Sequence, residues 1–524
     1  MRQLRLGQVT GIFASLFLAV FLFYPLGVIL VRSLGDAGVV RAVWQNSFYA
    51  QRLWFTTYQA LLSTLLTVLL GLPGALLFAR YDFRGKRLLK SAFTIPFVMP
   101  TVVVAIGFLA LVGPRGVTGT NLQGTLSIIL WAHVFYNYAL VVRIVGAYLE
   151  AGGPGPAEAA QMLGASPWRV LWRVRLPLAM PAVLAAAILV FVFCFTSFGV
   201  IVILAPAARF ATLEVEIYRL TVRLLELGGA AVLALAQLLV VGLFTWLYTR
   251  LQARLAVPVG GARTPSRPRG WVRLWLGLNL LLAALLILSP LVALTVQALW
   301  PAGMGFGLQN FRSLAETPHS IGFVGVGRAV YNSLRFALGG TLLALVVGFA
   351  FAYAVVRGGW RWLDNLSLLP LAASAVTLGF GYLLAFPGLQ GTPWGLVLAY
   401  SLIAFPFVTR SLLPALRGMP AHLPEAARML GAGPLGALRR VELPLVWPSF
   451  ITAASFAFAV SIGEFGATLV LTRPEYATIP VAIFDRLGRP GAESYGAALA
   501  LAVMLMILTG GAMLLLEHFG TSEI

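Results

Sequence analysis

Glu158-Ala159-Ala160-Gln161-Met162-Leu163-Gly164-Ala165, followed by Leu176-Pro177 and Pro181, returns once in this chain. It comes back as Glu425-Ala426-Ala427-Arg428-Met429-Leu430-Gly431-Ala432, then Leu443-Pro444 and Pro448. Glu, Gly, Leu-Pro and the final Pro all recur at one offset of about 267 residues, the fixed-period self-similarity of a duplicated unit. In each copy a carboxylate, two Ala and a Met-Leu pair suit the first turns of a helix, where Glu complements the positive end of the dipole. Gly164 and Gly431 let the chain turn, because glycine takes positive φ at a helix end. A basic helix then runs to Leu-Pro, and the prolines sit where a new helix would start. Each copy thus reads as an amphipathic elbow in front of a long apolar helix.

The rest of the chain is apolar enough to be membrane. Across 524 residues it is 60% hydrophobic and 10% charged, with a mean hydropathy of +0.91, outside the range of soluble globular domains. A net charge of +20 raises nucleic acid as a partner. The arginines, however, fall in short clusters between apolar segments without interleaved aromatics, so membrane topology is the better account and no nucleic-acid partner is expected. A single cysteine, Cys194, excludes an intramolecular disulfide and any Cys-rich metal site.

Apolar runs long enough to cross a bilayer centre on about 11–32, 56–79, 92–113, 126–149, 180–205 and 229–250, then about 272–299, 333–356, 365–387, 394–415, 448–472 and 496–517. The first is preceded by Arg2 and Arg5, lacks a clear small-residue cleavage site and reads as a retained span. The expected fold is an all-α polytopic membrane protein of two parallel repeats, about six transmembrane helices each. Arg2 and Arg5, the Arg80/Arg84/Lys86/Arg87/Lys90 cluster, Arg169/Arg173/Arg175, the linker arginines from Arg250 to Arg273, Arg357/Arg361 and Arg417/Arg428/Arg439/Arg440 fall on one face, cytoplasmic by the positive-inside rule. Both termini and both elbows share that face, and the segments with Glu214, Glu216, Glu226, Glu475, Asp485 and Glu493 lie outside. A Pro/Gly/Arg-rich stretch at 258–271 joins a first module, 1–257, to a second, 272–524. Upstream, Ser63-Thr64-Leu65-Leu66 corresponds to Gly340-Thr341-Leu342-Leu343 at a slightly larger offset.

Neither of the two lysines, Lys86 and Lys90, follows a Gly-x-x-x-x-Gly run, so the chain has no P-loop. His-Glu-x-x-His, Gly-x-Ser-x-Gly and paired-carboxylate signatures are missing too, which weakens every enzyme reading and leaves no metal site. An ion-coupled secondary transporter is the alternative of a different class. It needs intramembrane titratable groups and gives the twin elbows no role.

The two Glu-Ala-Ala-x-x-x-Gly segments, each about ten residues before Leu-Pro and a further Pro, resemble the cytoplasmic motif of permease subunits in binding-protein-dependent ABC importers. The resemblance covers nearly all of the chain as two fused permease modules and implies the fold of the methionine, maltose and molybdate importers. It implies that residues 157–176 and 424–443 are coupling elbows. There Glu158, Ala159, Ala160, Gly164, Glu425, Ala426, Ala427 and Gly431 would dock on a separate ATP-binding cassette subunit, present in two copies. ATP and magnesium would be bound by that partner, with no cofactor on this chain. An extracytoplasmic solute-binding protein would deliver substrate, and the location would be the bacterial cytoplasmic (inner) membrane, in contact with lipid. A fused pair looks most like the thiamine and ferric-iron permeases. Trp131-Ala132-His133-Val134-Phe135-Tyr136-Asn137, Phe193-Cys194-Phe195-Thr196-Ser197-Phe198-Gly199 and Ser461-Ile462-Gly463-Glu464-Phe465-Gly466 favour thiamine. Gly463 to Thr468 followed by Thr478-Ile479-Pro480 is also similar to molybdate and sulfate permeases, so the substrate class stays open.

Glu464 is the one carboxylate placed well inside an expected span, where a charge costs on the order of 3 kcal/mol or more. Its repeat counterpart is Ser197. With Phe465, Phe198, His133 and Asn137 these are the substrate-path candidates. His133 and Asn137 lie one helical turn apart on one face, where hydrogen bonding between helices is the plainer account.

Overall fold

The structure is a computed structural model that describes residues 2–86, 89, 93, 95–152, 155–254, 266–301, 305–316, 325–420 and 422–521. Arg87 and Lys90 of the basic cluster and linker residues 258–265 lie outside the described residues. Among those described, the chain is helix and turn, with one isolated bridge between Tyr81 and Ser266 and no strand. Ten helices among the described residues are long and apolar enough to cross a membrane. In the first half the order is α1 (Leu6–Leu34), α2 (Ala37–Gln45), α3 (Ser47–Arg80), α4 (Thr101–Val112), α5 (Leu126–Ala151), α6 (Gly155–Met162), α7 (Pro167–Phe195), α8 (Gly199–Leu204), α9 (Leu213–Tyr218) and α10 (Leu227–Gln252). The second half repeats it as α11 (Trp271–Leu299), α12 (Gln309–Glu316), α13 (Val326–Arg357), α14 (Ala375–Ala385), α15 (Pro393–Gly418), α16 (His422–Met429), α17 (Pro434–Ile462), α18 (Gly466–Leu471), α19 (Ile479–Leu487) and α20 (Ala492–Leu514). Each element of the second half has its partner ten numbers earlier. The chain is an all-α polytopic membrane protein of two parallel repeats.

Five of the six spans expected in each half are long helices. The third is short and broken. Pro96 and Pro100 precede α4, and proline both lacks an N–H and disfavours helix for the residue before it, so the apolar run 92–113 yields a single turn, Ile95–Val98, and then 12 residues of helix. In the second half Arg361–Leu371 and Ala375–Ala385 meet at 100°. Ser374 caps the resumed helix, its hydroxyl accepting from the Thr377 N–H at 3.1 Å. Twelve residues rise only about 18 Å, short of the roughly 30 Å hydrocarbon layer. Irregular backbone is tolerated in a membrane where protein covers it. Every residue from Val102 to Val112 is buried.

The fifth expected spans, 180–205 and 448–472, are also interrupted. Helix α7 stops at Phe195 and α8 resumes at Gly199; α17 stops at Ile462 and α18 resumes at Gly466. Glu464, expected inside a span, therefore sits in a break between two helices. At their other ends α7 and α17 carry the basic segment and the apolar segment as one helix, through wide π-turns at Leu171–Arg175 and Leu438–Glu442. Pro177 and Pro444 have no N–H to offer the preceding turn, and a wide turn carries the helix through that gap.

Within each half, α3, α5 and α7 pack together, as do α13, α15 and α17. Lipid is as apolar as leucine, so close approach of backbones rather than hydrophobic burial holds such helices together. A Cβ added to Gly71 would lie 2.9 Å from Val141 Cβ, and one on Gly348 would lie 3.0 Å from Val408 Cβ, the same contact in both halves. Leu61, Leu65 and Leu69 on α3 and Leu338, Leu342 and Val346 on α13 point outward, exposed at one helical spacing, as a lipid-facing stripe does. The leading helices are exchanged between halves. Helix α1 packs on α13 and α14, and Phe17, Leu18 and Leu22 belong to the apolar core of the second half. Helix α11 packs on α4 and α3, and Leu286, Ile287 and Leu294 belong to the first core.

Candidate functional site: two elbows and a central cavity

The two elbows reverse the chain through the same backbone hydrogen bonds. In the first, Ala165 N–H donates to Ala160 C=O at 3.0 Å and Gly164 N–H to Gln161 C=O at 2.9 Å. In the second, Ala432 N–H donates to Ala427 C=O at 3.0 Å and Gly431 N–H to Arg428 C=O at 2.9 Å. This paired closure satisfies the last carbonyls of α6 and α16 and requires a left-handed residue, supplied by Gly164 at φ 80° and Gly431 at φ 84°. The turn throws Met162, Leu163, Met429 and Leu430 outward, each 89% exposed. Glu158, Ala159, Glu425 and Ala426 are exposed on the same short helices, and Ala160 and Ala427 are half-buried. Beneath the second elbow, the buried Glu442 lies 3.6 Å from Arg357 at the end of α13; its repeat counterpart is Arg175.

Between the halves lies a cavity of about 300 Å³. All six path candidates line it: His133, Asn137, Ser197, Phe198, Glu464 and Phe465. The two helix breaks meet there because glycine lets them. A Cβ on Gly463 would lie 2.9 Å from the Pro100 ring of the other half, and one on Gly199 would strike the Thr101 side chain. Phe198 and Phe465, repeat counterparts, stack with centroids 5.6 Å apart. Tyr218 and Phe484, also counterparts, each stand edge-on to one of them at 5.3 Å. Phe484 in turn lines a second cavity of about 570 Å³, on the face away from the elbows, with Arg115, Arg223, Arg486 and Arg489 in its wall. Phe198 and Phe465 line the inner space and Phe484 the outer one, so this aromatic partition stands between the two.

His133 and Asn137 are fixed by their own half. Ser63 Oγ and His133 Nδ1 are 2.9 Å apart. Asn137 Nδ2 donates to His133 C=O at 2.9 Å and lies 3.6 Å from Cys194 Sγ. In the second half Tyr400 occupies the His133 position and Gly340 the Ser63 position. The larger ring needs that glycine, since a Cβ there would lie 2.6 Å from Tyr400 Cβ. The Tyr400 hydroxyl lies 2.6 Å from Thr468 Oγ1.

Glu464 is 7% exposed and is held by the start of α18. Its Oε1 accepts from Ala467 N–H at 3.0 Å, and its Oε2 accepts from Thr468 N–H at 3.0 Å and Thr468 Oγ1 at 2.8 Å. Both oxygens are therefore engaged with the orphan donors and positive dipole end of a short helix.

A second carboxylate shares the cavity wall. Of the acidic residues in the segments expected on the outer side, Glu214 and Glu216 are buried, while Glu226, Glu475, Asp485 and Glu493 are exposed. Thr56 Oγ1 accepts from the first N–H of α9, at Leu213, at 2.9 Å, as Ser333 Oγ does for Ile479 at 2.8 Å in the second half, and so draws α9 inward. Glu216 is satisfied by Arg219, whose Nη2 donates at 2.6 Å; that hydrogen bond raises the Arg219 pKa. Glu214 Oε1 accepts from Gln237 Nε2 at 2.6 Å, and the same amide lies 3.1 Å from Ser374 Oγ and 3.3 Å from Thr377 Oγ1 of the second half. Glu214 Oε2 has no hydrogen-bond partner in the protein. The missed signal lay in the repeat. Ala211-Thr212-Leu213-Glu214-Val215-Glu216-Ile217-Tyr218 aligns with the uncharged Ala477-Thr478-Ile479-Pro480-Val481-Ala482-Ile483-Phe484, which marks the segment as buried.

Residues 68–257 and 340–521 match the family described as binding-protein-dependent transport system inner membrane component. The chain is 26% identical over 489 residues to the thiamine transport system permease protein of Escherichia coli (strain K12), covering 89% of this chain and 88% of that one. It is 24% identical over 514 residues to the protein of the same name from Haemophilus influenzae, covering 93% and 92%. A probable molybdenum ABC transporter permease of Haloferax volcanii is 34% identical over 280 residues, 50% of this chain and 98% of that one.

Proposed function

Because the chain belongs to the family of binding-protein-dependent transport system inner membrane components, as a permease of an ABC importer in a multi-pass inner-membrane protein, we propose that it forms the whole translocation path for thiamine. The observation that carries the substrate is length. Permeases named for thiamine align across about nine-tenths of the chain, through both fused modules. The molybdenum relative matches one module's worth of sequence. Chemistry supports the same choice: the central cavity has two carboxylates and no lysine or arginine among the described residues lining it, which repels an oxyanion and favours a cation.

In this reading the elbows and both termini face the cytoplasm of a bacterium. Two copies of an ATP-binding cassette subunit, which hold ATP and magnesium, take up the exposed Met162-Leu163 and Met429-Leu430 tips in apolar grooves. Closure of that pair moves α6 and α16, and through the unbroken α7 and α17 the movement reaches the helix breaks at the cavity. A solute-binding protein presents thiamine at the outer face, and the path from there to the inner cavity passes the stacked Phe198 and Phe465 rings.

The test is twofold. The cognate binding protein, purified under native conditions, is expected to carry thiamine, and proteoliposomes holding the permease, the ATPase and the binding protein are expected to accumulate labelled thiamine only with ATP inside. A binding protein carrying iron or an oxyanion, with no thiamine uptake, would overturn the assignment.

A further inference from the structure

We propose that Glu214 is the residue by which the central cavity selects a positively charged substrate, an organic cation whose charge sits against the open oxygen of this carboxylate. The inference rests on the reading of the cavity as the substrate path. Glu464 is the acid that sequence logic singles out, but its oxygens already accept three hydrogen bonds from Ala467 and Thr468. Its charge is answered by the helix it caps. Glu214 is fully buried, is supported by the side chains of Gln237 and Ser374, and keeps Oε2 without a hydrogen-bond partner in the protein. A buried carboxylate oxygen with no donor is costly unless something arrives to pair with it.

The surroundings suit a planar cation. Tyr136, Phe193, Phe198, Phe407 and Phe465 line the same space, and aromatic faces attract a ring cation through their quadrupoles. His133 Nε2 is also buried there without a partner and offers a polar contact to a heteroatom. Glu214 stands where the second half has Pro480, and Glu464 stands where the first half has Ser197, so the cavity is asymmetric although the fold is duplicated. Gln237 of α10 joins the Glu214 carboxylate on α9 to Ser374 and Thr377 of the second half, since its amide donates to all three. Substrate charge at Glu214 is thereby sensed by both halves at once.

Glu214→Gln separates charge from structure, because the amide oxygen can still accept from Gln237 while the negative charge is lost. In proteoliposomes of the complete transporter, two probes are compared: labelled thiamine, and an analogue whose thiazolium ring is replaced by an uncharged ring. Wild type is expected to prefer thiamine. Glu214→Gln is expected to lower thiamine uptake about tenfold or more, with the preference for the charged ring abolished. Glu214→Asp is expected to recover part of both. Uptake by wild type with unchanged uptake and preference in Glu214→Gln overturns the role of Glu214 and leaves the thiamine reading standing. No thiamine uptake by wild type overturns both. Equal loss of uptake in Gln and Asp variants with the charge preference retained would make Glu214 a purely structural residue and overturn the proposal.

Discussion

Two buried carboxylates within one cavity differ in what their oxygens already do, and the difference has a thermodynamic reading. Glu464 satisfies the first donors of α18, so Glu464→Gln replaces an acceptor by an NH₂ group facing N–H and hydroxyl donors. Loss of such a cap costs about 1 kcal/mol, up to about 2. The purified permease is expected to melt at a lower temperature with this change. Glu214→Gln removes a charge that is only partly solvated by the protein, and is expected to leave the melting temperature equal or higher. Thermal unfolding of the two single variants in detergent checks both signs; a larger drop for Glu214→Gln would contradict the assignment of roles. At this scale the sequence was readable where a residue departs from its repeat counterpart, as Glu464 does from Ser197. It was silent on which oxygens find partners, because that depends on where the helix breaks fall. The burial of Glu214 was not legible because an acidic residue in a loop-like stretch reads as solvated, whereas the Thr56 bond to α9 turns the segment inward.

Among the elements, the reversal in each elbow was legible down to its glycine, whereas the new helix expected at Leu176-Pro177 and Leu443-Pro444 is absent, because one helix runs through each proline. The signal of the reversal is local: the acidic start, the Ala pair and the glycine all act within one or two turns. Glu158→Lys with Glu425→Lys places positive charge at both helix starts, next to the dipole's positive end, on exposed surfaces where the folded spans are untouched. The doubly substituted permease is expected to insert normally and to lose co-purification with its ATPase; retention of the ATPase at wild-type stoichiometry would refute the docking role. Gly164→Val and Gly431→Val are expected to act in the same direction through shape, since a β-branched residue at φ near 80° costs roughly 1–2 kcal/mol. The third span of each half was hidden for the opposite reason. Hydropathy windows average over Pro96, Pro100 and Pro370, and a helix of 12 residues covered by protein is as apolar as one that crosses lipid.

For the whole molecule, the duplicated architecture was visible from the constant offset, while the meeting of the halves was not, since no local pattern encodes it. The aromatic partition is one product of that meeting. Phe198→Ala with Phe465→Ala removes the stacked pair and opens the wall between the inner and outer cavities. Proteoliposomes of this variant are expected to leak preloaded thiamine without ATP at a rate several-fold above wild type, measured by efflux of label; an unaltered efflux rate would show that other groups seal the path. The exchange of leading helices is the other product, and it reaches back to how the chain is made. Helix α1 is synthesised first, but the surface it rests on, α13 and α14, emerges some three hundred residues later. Insertion into the bilayer and completion of the tertiary structure are therefore separate events: α1 finds α10 within its own half, but its contacts with α13 and α14 form only after most of the second half has left the ribosome. Neither half completes its own core: a chain cut short within the second half leaves the N-terminal part of α1, with Phe17, Leu18 and Leu22, without the apolar surface it packs on.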